Sequence, residues 1–278
     1  MPRPAALAAA ALAAALALYA GRRLWLKSDD LLRPAVVLRG QDARALLQPS
    51  LGARLAALVR RAVPPDARPR LVALTFDDGP YPVTTPLLLQ RLRDVRVRAT
   101  FFLIGRDAEQ FPGLARAVAA DGHELANHTL THPDLDGLDD AAVRAELAGG
   151  AAALGRIAPD PAERRLFRPP HGRYRLATVL VAQRAGYDTV LWNDDPGDWR
   201  SVPAAALRDH LLARATAPEI VLLHSGRPAT IAALPDVVAR YRAAGFAFVT
   251  VGELLRRCSI EALDRPAKIS LASGVGRN

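Results

Sequence analysis

Two histidines four residues apart and an adjacent pair of aspartates are the residues here best suited to chemistry. His128 and His132 stand at i and i+4. On one helical turn their imidazoles would share a face and grip a single ion. Two surface or capping histidines would show the same spacing. Asp77 and Asp78 are neighbours, and two ionised carboxylates side by side repel unless a cation neutralises one or they point apart. The natural division puts Asp78 on a metal with the two histidines and leaves Asp77 as a general base toward water. Asp-Asp-Gly-Pro is also good turn chemistry, and a turn can present catalytic groups. Two histidines and one carboxylate leave a coordination position open, as catalytic zinc requires; non-haem iron uses the same ligand types. Cys258 is the only cysteine, which excludes a cysteine-rich zinc site and an internal disulfide.

Other candidates lie further along. Arg168, in Phe-Arg-Pro-Pro-His-Gly, sits in a segment stiffened by two prolines. Its guanidinium would pin a base carboxylate or form a structural salt bridge. His224 ends an apolar run; at the end of a barrel strand it becomes a candidate general acid, and elsewhere it would be a core histidine. Asp198 would orient that imidazole and raise its pKa. Trp199 would wall an acyl pocket or pack in the core, and Asp195 lies just before them.

The elements that must position these residues alternate. Short apolar runs at 71–76, 99–104, 124–127, 166–167, 188–192, 220–223 and 246–251 read as strands. Helical segments are expected at 85–93, with Thr85 as N-cap before Pro86, and at 108–120, 139–157, 176–185, 203–215, 235–244 and 253–257. In the 139–157 helix, Gly149 and Gly150 weaken the pattern. Alternation at this spacing implies parallel βαβ units: a distorted (β/α) barrel of the TIM type with about seven strands, or an open doubly wound sheet. No glycine-rich phosphate loop follows the first strand, so the open sheet lacks its usual nucleotide site. Every candidate above falls at the carboxyl end of a strand, the face where parallel barrels build active sites.

Composition sets the context. Half of the 278 residues are apolar, enough for a sizeable core, and the formal net charge is +9. The charge is carried by arginines dispersed among alanines, with no basic run interleaved with aromatics, so no nucleic-acid partner is expected. Residues 5–20 form an uncharged alanine- and leucine-rich run preceded by Arg3 and followed by Arg22 and Arg23. It reads as an N-terminal hydrophobic helix, an uncleaved membrane anchor in preference to a cleaved signal peptide, and so implies an extracytoplasmic protein. The expected organisation is a signal or anchor over 1–26, a juxtamembrane linker with one amphipathic helix (42–63) over 27–67, a barrel over 68–257 and a tail over 258–278.

Taken together, five ordered segments resemble the NodB-like polysaccharide deacetylases, carbohydrate esterase family four. They are Thr-Phe-Asp-Asp-Gly-Pro (75–80), His-Thr-Leu-Thr-His (128–132), Arg-Pro-Pro-His-Gly (168–172), Asp-Pro-Gly-Asp-Trp (195–199) and Val-Leu-Leu-His (221–224). The resemblance covers residues 68–257. It implies N-deacetylation of an acetylated amino-sugar polymer, such as peptidoglycan or another N-acetylglucosamine glycan. It also implies a divalent metal, commonly zinc, on Asp78, His128 and His132. Asp77 would be the base and His224 the acid, supported by Arg168 and Asp198 respectively, with Trp199 and Leu222 lining the pocket for the acetyl methyl. One position departs: His171 stands where the family usually has an aromatic residue whose backbone N–H helps bind the oxyanion. A glycan-binding barrel without catalysis and a hydrolase of small or cyclic amides are the alternatives.

Overall fold

The structure is a computed structural model that describes residues 37–38, 70–158, 165–215 and 217–263. The N-terminal apolar run, the 42–63 helix and residues 264–278 of the expected tail lie outside the described residues; the first part of that tail, 258–263, is instead the end of the last helix, which the sequence reading stopped at residue 257. Among the described residues no helix is long and apolar enough to cross a membrane.

Seven parallel strands form the sheet: β2 (Leu71–Asp77), β3 (Thr100–Leu103), β4 (Glu124–Asn127), β5 (Arg165–Phe167), β6 (Tyr187–Val190), β7 (Glu219–His224) and β8 (Ala247–Phe248). A two-residue strand unforeseen in the sequence, β1 (Val37–Leu38), pairs antiparallel with β6. The order runs β6-β5-β4-β3-β2-β7, and β8 pairs with the start of β2. The ring returns on itself where the chain after β6 meets β7 in a single bridge, Asp194 to Val221. There Asn193 N–H donates to Ile220 C=O and Leu222 N–H to Asp194 C=O. The Asn193 carboxamide adds two more links, to the Pro218 carbonyl and the Ile220 N–H. The architecture is therefore a distorted parallel barrel.

Successive strand residues face opposite sides, and the core divides accordingly. Val72, Leu74 and Phe76, with Phe101, Leu103, Val221 and Leu223, pack outward against the helices. Leu71, Ala73, Phe102, Ala126, Leu166 and Ile220 fill the interior. Following the interior rows one or two steps toward the carboxyl ends gives Asp77, His128, Arg168 and His224. The apolar filling stops and the chemistry starts on the same face of the same strands.

The helices are α1 (Thr84–Asp94), α2 (Gly105–Gln110), α3 (Pro112–Ala120), α4 (Asp140–Gly155), α5 (Leu176–Arg184), α6 (Ala204–Arg214), α7 (Pro228–Ala243) and α8 (Val251–Leu263). Several boundaries differ from expectation. Thr85 is not the N-cap of α1: the helix starts one residue earlier, and the Thr85 hydroxyl accepts from Tyr81 N–H at 2.8 Å. The expected helix over 108–120 is two helices, broken at Phe111 because a residue before proline avoids helical geometry. α7 begins at Pro228 and runs through Pro235. Its buried face, including Ile231, Leu234, Val237 and Val238, outweighs the roughly 3 kcal/mol that an interior proline costs. β8 is shorter than 246–251, since α8 starts at Val251 with the Thr250 hydroxyl accepting from Glu253 N–H at 3.3 Å.

Candidate active site

His128 and His132 do not sit on a helical turn. They flank a loop after β4 in which Thr129 and His132 adopt left-handed φ of 71° and 64°. Helix α4 holds this loop in place. The Glu146 carboxylate accepts from the Leu130 and Thr131 N–H groups at 3.0 and 2.8 Å and from the Thr131 hydroxyl at 2.8 Å. The Asn127 side-chain oxygen accepts from Thr129 N–H at 2.8 Å, while the same carboxamide's nitrogen donates to the Leu147 carbonyl and the Tyr187 hydroxyl. The two helix-weakening glycines make the close approach possible. A Cβ on Gly149 would lie 2.6 Å from the Leu130 side chain, and one on Gly150 2.3 Å from the Asn127 Oδ1.

The loop delivers the histidines to the end of β2. The Nε2 atoms of His128 and His132 are 3.2 Å apart, and the Asp78 Oδ1 lies 3.7 Å from the first and 3.3 Å from the second. The His128 Nδ1 is 2.8 Å from the Arg168 carbonyl oxygen. A carbonyl only accepts, so Nδ1 carries the proton and Nε2 presents its lone pair. Burial lowers the His128 pKa to about 3, against the pull of Asp78, and keeps the ring neutral. Burial also lowers that of His132. One donor atom from each of Asp78, His128 and His132 lies within 4.8 Å of the others. Converging imidazole lone pairs and a carboxylate oxygen fit one divalent cation.

Beside this trio, the fully buried Arg168 donates to Asp77 Oδ1 at 2.6 Å and to the Thr75 hydroxyl at 2.8 Å. Its other nitrogens donate to the Val190 and Leu191 carbonyls at 3.3 and 3.1 Å, and the guanidinium lies 4.0 Å from the centre of the Phe102 ring. Burial raises the Asp77 pKa against the pull of Arg168 and His224. A buried carboxylate with a raised pKa and a fixed cation is a proton acceptor poised nearer neutrality than a free aspartate.

On the neighbouring strand β7, His224 is in register with Asp77. Its Nδ1 is 2.7 Å from the Asp198 Oδ1, and its N–H donates to the Asp198 Oδ2 at 2.8 Å. The Thr230 hydroxyl gives that oxygen another bond, at 2.7 Å. Desolvation lowers the His224 pKa, but the Asp198 hydrogen bond and the charges of Asp77, Asp198 and Asp78 outweigh it, so the net shift is upward. An imidazole that donates from Nδ1 to a buried carboxylate and holds its second proton more tightly suits a general acid.

His224 and Asp78 line one cavity of about 380 Å³, together with Tyr81, Val83 and Arg227. The remaining sequence candidates stand around this centre. His171 occupies a left-handed turn with φ 56°. Its ring packs edge-on against His132 with centroids 4.5 Å apart, and its Nδ1 is 2.7 Å from Asp134. Leu222 is buried in β7. Trp199 is 45% exposed, with the Arg200 guanidinium 4.4 Å from its ring centre. Neither Leu222 nor Trp199 lines the cavity beside Asp78 and His224. The Asp195 carboxylate caps a turn, accepting from Gly197 N–H. Sequence reading missed Glu146, Asn127, Thr75 and Thr230. All four are ordinary polar residues whose roles arise mainly from long-range contacts, although the paired glycines of α4 hinted at a close approach there.

The family model for polysaccharide deacetylases matches residues 65–190. A peptidoglycan-N-acetylglucosamine deacetylase of Bacillus cereus is 38% identical over 192 residues, covering 67% of this chain and 89% of its own length. The chain belongs to the polysaccharide deacetylase family. A chitooligosaccharide deacetylase of Sinorhizobium fredii is 41% identical over 157 residues, covering 56% of this chain and 73% of its own. Among solved structures, one with TM-score 0.64 and 28% identity, covering 67% of this chain and 68% of its own, is a mutant of a Bacillus anthracis carbohydrate esterase family 4 pseudoenzyme with restored enzymatic activity. The family fold thus exists without activity, which puts the weight of a functional reading on the site itself.

Proposed function

We propose that this polysaccharide deacetylase hydrolyses N-acetyl groups from an amino-sugar polymer, releasing acetate and leaving a free amine. The observation that carries the reading is the pairing of two differently tuned groups around the metal-fitting trio. Asp77, clamped by Arg168, is placed to accept a proton. His224, hydrogen-bonded to Asp198, is placed to give one. A non-catalytic member of the fold has no need of both.

A divalent cation held by Asp78, His128 and His132 would supply Lewis-acid polarisation of the acetamide carbonyl and make water more acidic; zinc is the ion proposed, from the two-imidazole, one-carboxylate donor set. Asp77 takes a proton from water as its oxygen adds to the carbonyl carbon. The His171 backbone N–H, presented by its left-handed turn, donates to the developing oxyanion. His224 then protonates the sugar nitrogen, the carbon–nitrogen bond breaks, and Asp198 steadies the imidazole throughout. Trp199 and Leu222 are assigned to the acetyl-methyl side.

We further propose that the N-terminal apolar run holds the enzyme outside the cytoplasm at the membrane. Recovery of the full-length chain in the soluble cytoplasmic fraction would overturn that placement. The reaction is tested by acetate release from N-acetylglucosamine oligomers and peptidoglycan, with and without chelator, followed by zinc add-back. Chelator-sensitive release restored by zinc is the expected result. A protein that binds one zinc per chain and releases no acetate from any glycan would refute the reading.

A further inference from the structure

The cavity beside the acid carries a cation that the deacetylation chemistry does not use. Arg227 follows His224 by three residues and lines the same space as His224 and Asp78. It is half-buried and, among the described residues, its side chain has no hydrogen-bond or ion-pair partner. The other arginines around the site are engaged: Arg168 on Asp77, Arg173 on Asp134 and Arg200 on Trp199. The backbone that presents Arg227 is tightly fixed. A Cβ on Gly226 would lie 2.8 Å from the Tyr81 ring, and Pro228 opens α7 immediately after. The lining also includes Val83, which is 73% exposed, and Tyr81, side chains suited to the apolar face of a sugar ring.

A guanidinium stays charged at any relevant pH, and its planar fork matches a carboxylate. Resting on the deacetylase reading, we infer that Arg227 is a specificity-determining residue. It takes a carboxylate borne by the glycan near the unit being deacetylated, so that an acidic amino-sugar polymer is preferred to a neutral N-acetylglucosamine oligomer. In a peptidoglycan strand that carboxylate comes from a lactyl ether or from an attached peptide.

The test compares kcat/KM for acetate release by the metal-loaded full chain on four substrates. They are a neutral N-acetylglucosamine oligomer, a peptide-free peptidoglycan oligomer with its lactyl carboxylates, the methyl ester of that oligomer, and the peptide-bearing oligomer. The wild type should favour an acidic oligomer over the ester by roughly tenfold, the worth of one charge-assisted contact. Arg227→Gln should bring that ratio close to one, and Arg227→Lys should keep part of it. Because the readout is a ratio within one preparation, partial misfolding cancels. A preference already present with the lactyl oligomer assigns the contact to the ether carboxylate, and one that needs the peptide assigns it to the peptide. Turnover of both acidic oligomers, lactyl and peptide-bearing, no faster than that of the ester by the wild type, or a preference that survives Arg227→Gln, overturns the inference while leaving the deacetylase reading intact. Failure of every oligomer to release acetate defeats that reading itself.

Discussion

Each end of the barrel interior holds a carboxylate, half-buried at one end and buried at the other, and the two are treated differently. At the amino end, Glu124 opens β4, and its Oε2 accepts from the Thr100 hydroxyl at 2.7 Å and from the Gly252 N–H at 3.0 Å. The Thr100 hydroxyl in turn accepts from Val251 N–H at 2.9 Å. Together they cap the start of α8, which plugs the barrel with Val251, Leu254 and Leu255. A Cβ on Gly252 would lie 2.2 Å from the Glu124 Oε1, so the start of α8 sits tight against that carboxylate. At the carboxyl end, Asp77 has one guanidinium partner, and beyond it two imidazole nitrogens and the Asp78 oxygen converge on one another. At the amino end, Glu124 is held by a neighbouring hydroxyl and a backbone N–H. The carboxyl end leaves acceptors turned toward one point, and that difference separates structural polarity from a site.

The contrast can be broken in graded steps. Asp77→Asn should retain the bound metal, measured by elemental analysis, and lower kcat by about 10²- to 10⁴-fold. Full turnover in the purified variant would end its assignment as base. Asp198→Asn removes the charge and weakens the hydrogen bond that hold the His224 pKa up, so the protonated acid is lost at lower pH. The alkaline limb of the kcat/KM profile should move downward, with a rate loss on the order of tenfold. An unmoved limb would show that His224 is not the titrating acid. Gly150→Ala forces a methyl onto the Asn127 oxygen and should cost about 1–3 kcal/mol in chemical denaturation, with weakened metal retention. Glu124→Gln at the other end should cost about 1 kcal/mol of stability and leave the metal content and pH profile of the folded protein alone. A changed pH profile there would mean the two ends are not independent.

Much of this organisation was legible in the sequence. Strand runs ending in Asp77, His224 and the residues just before His128 and Arg168 placed the chemistry at one face, because a parallel barrel aligns its strand ends. The seven parallel strands and the match to the family motifs followed from the same segments. Local detail was less accessible. The four-residue spacing of His128 and His132 suggested a helical turn. The loop instead uses left-handed backbone at Thr129 and His132, bought by contacts with Glu146 and Asn127. Pro235 read as a helix start because proline favours the first turn, yet a long buried face carries α7 through it. The Thr75, Thr230 and Glu146 contacts span 15 to 146 residues of sequence, and nothing in their own neighbourhoods marks them.

The closure between β6 and β7 gives the ring a seam. Elsewhere β2 and β7 share six paired positions, whereas here a single bridge, a few backbone bonds and the Asn193 carboxamide carry the join. Transient opening of a folded protein is easiest where the fewest bonds must break together. Asp198 follows β6 and His224 ends β7, so the pair that delivers the leaving-group proton straddles the joint. The metal trio hangs from β2 and β4 on the other side. Because six paired positions tie β7 to β2, His224 stays with the trio when the seam breathes, and what moves is the segment after β6 that carries Asp198, the carboxylate that orients the acid.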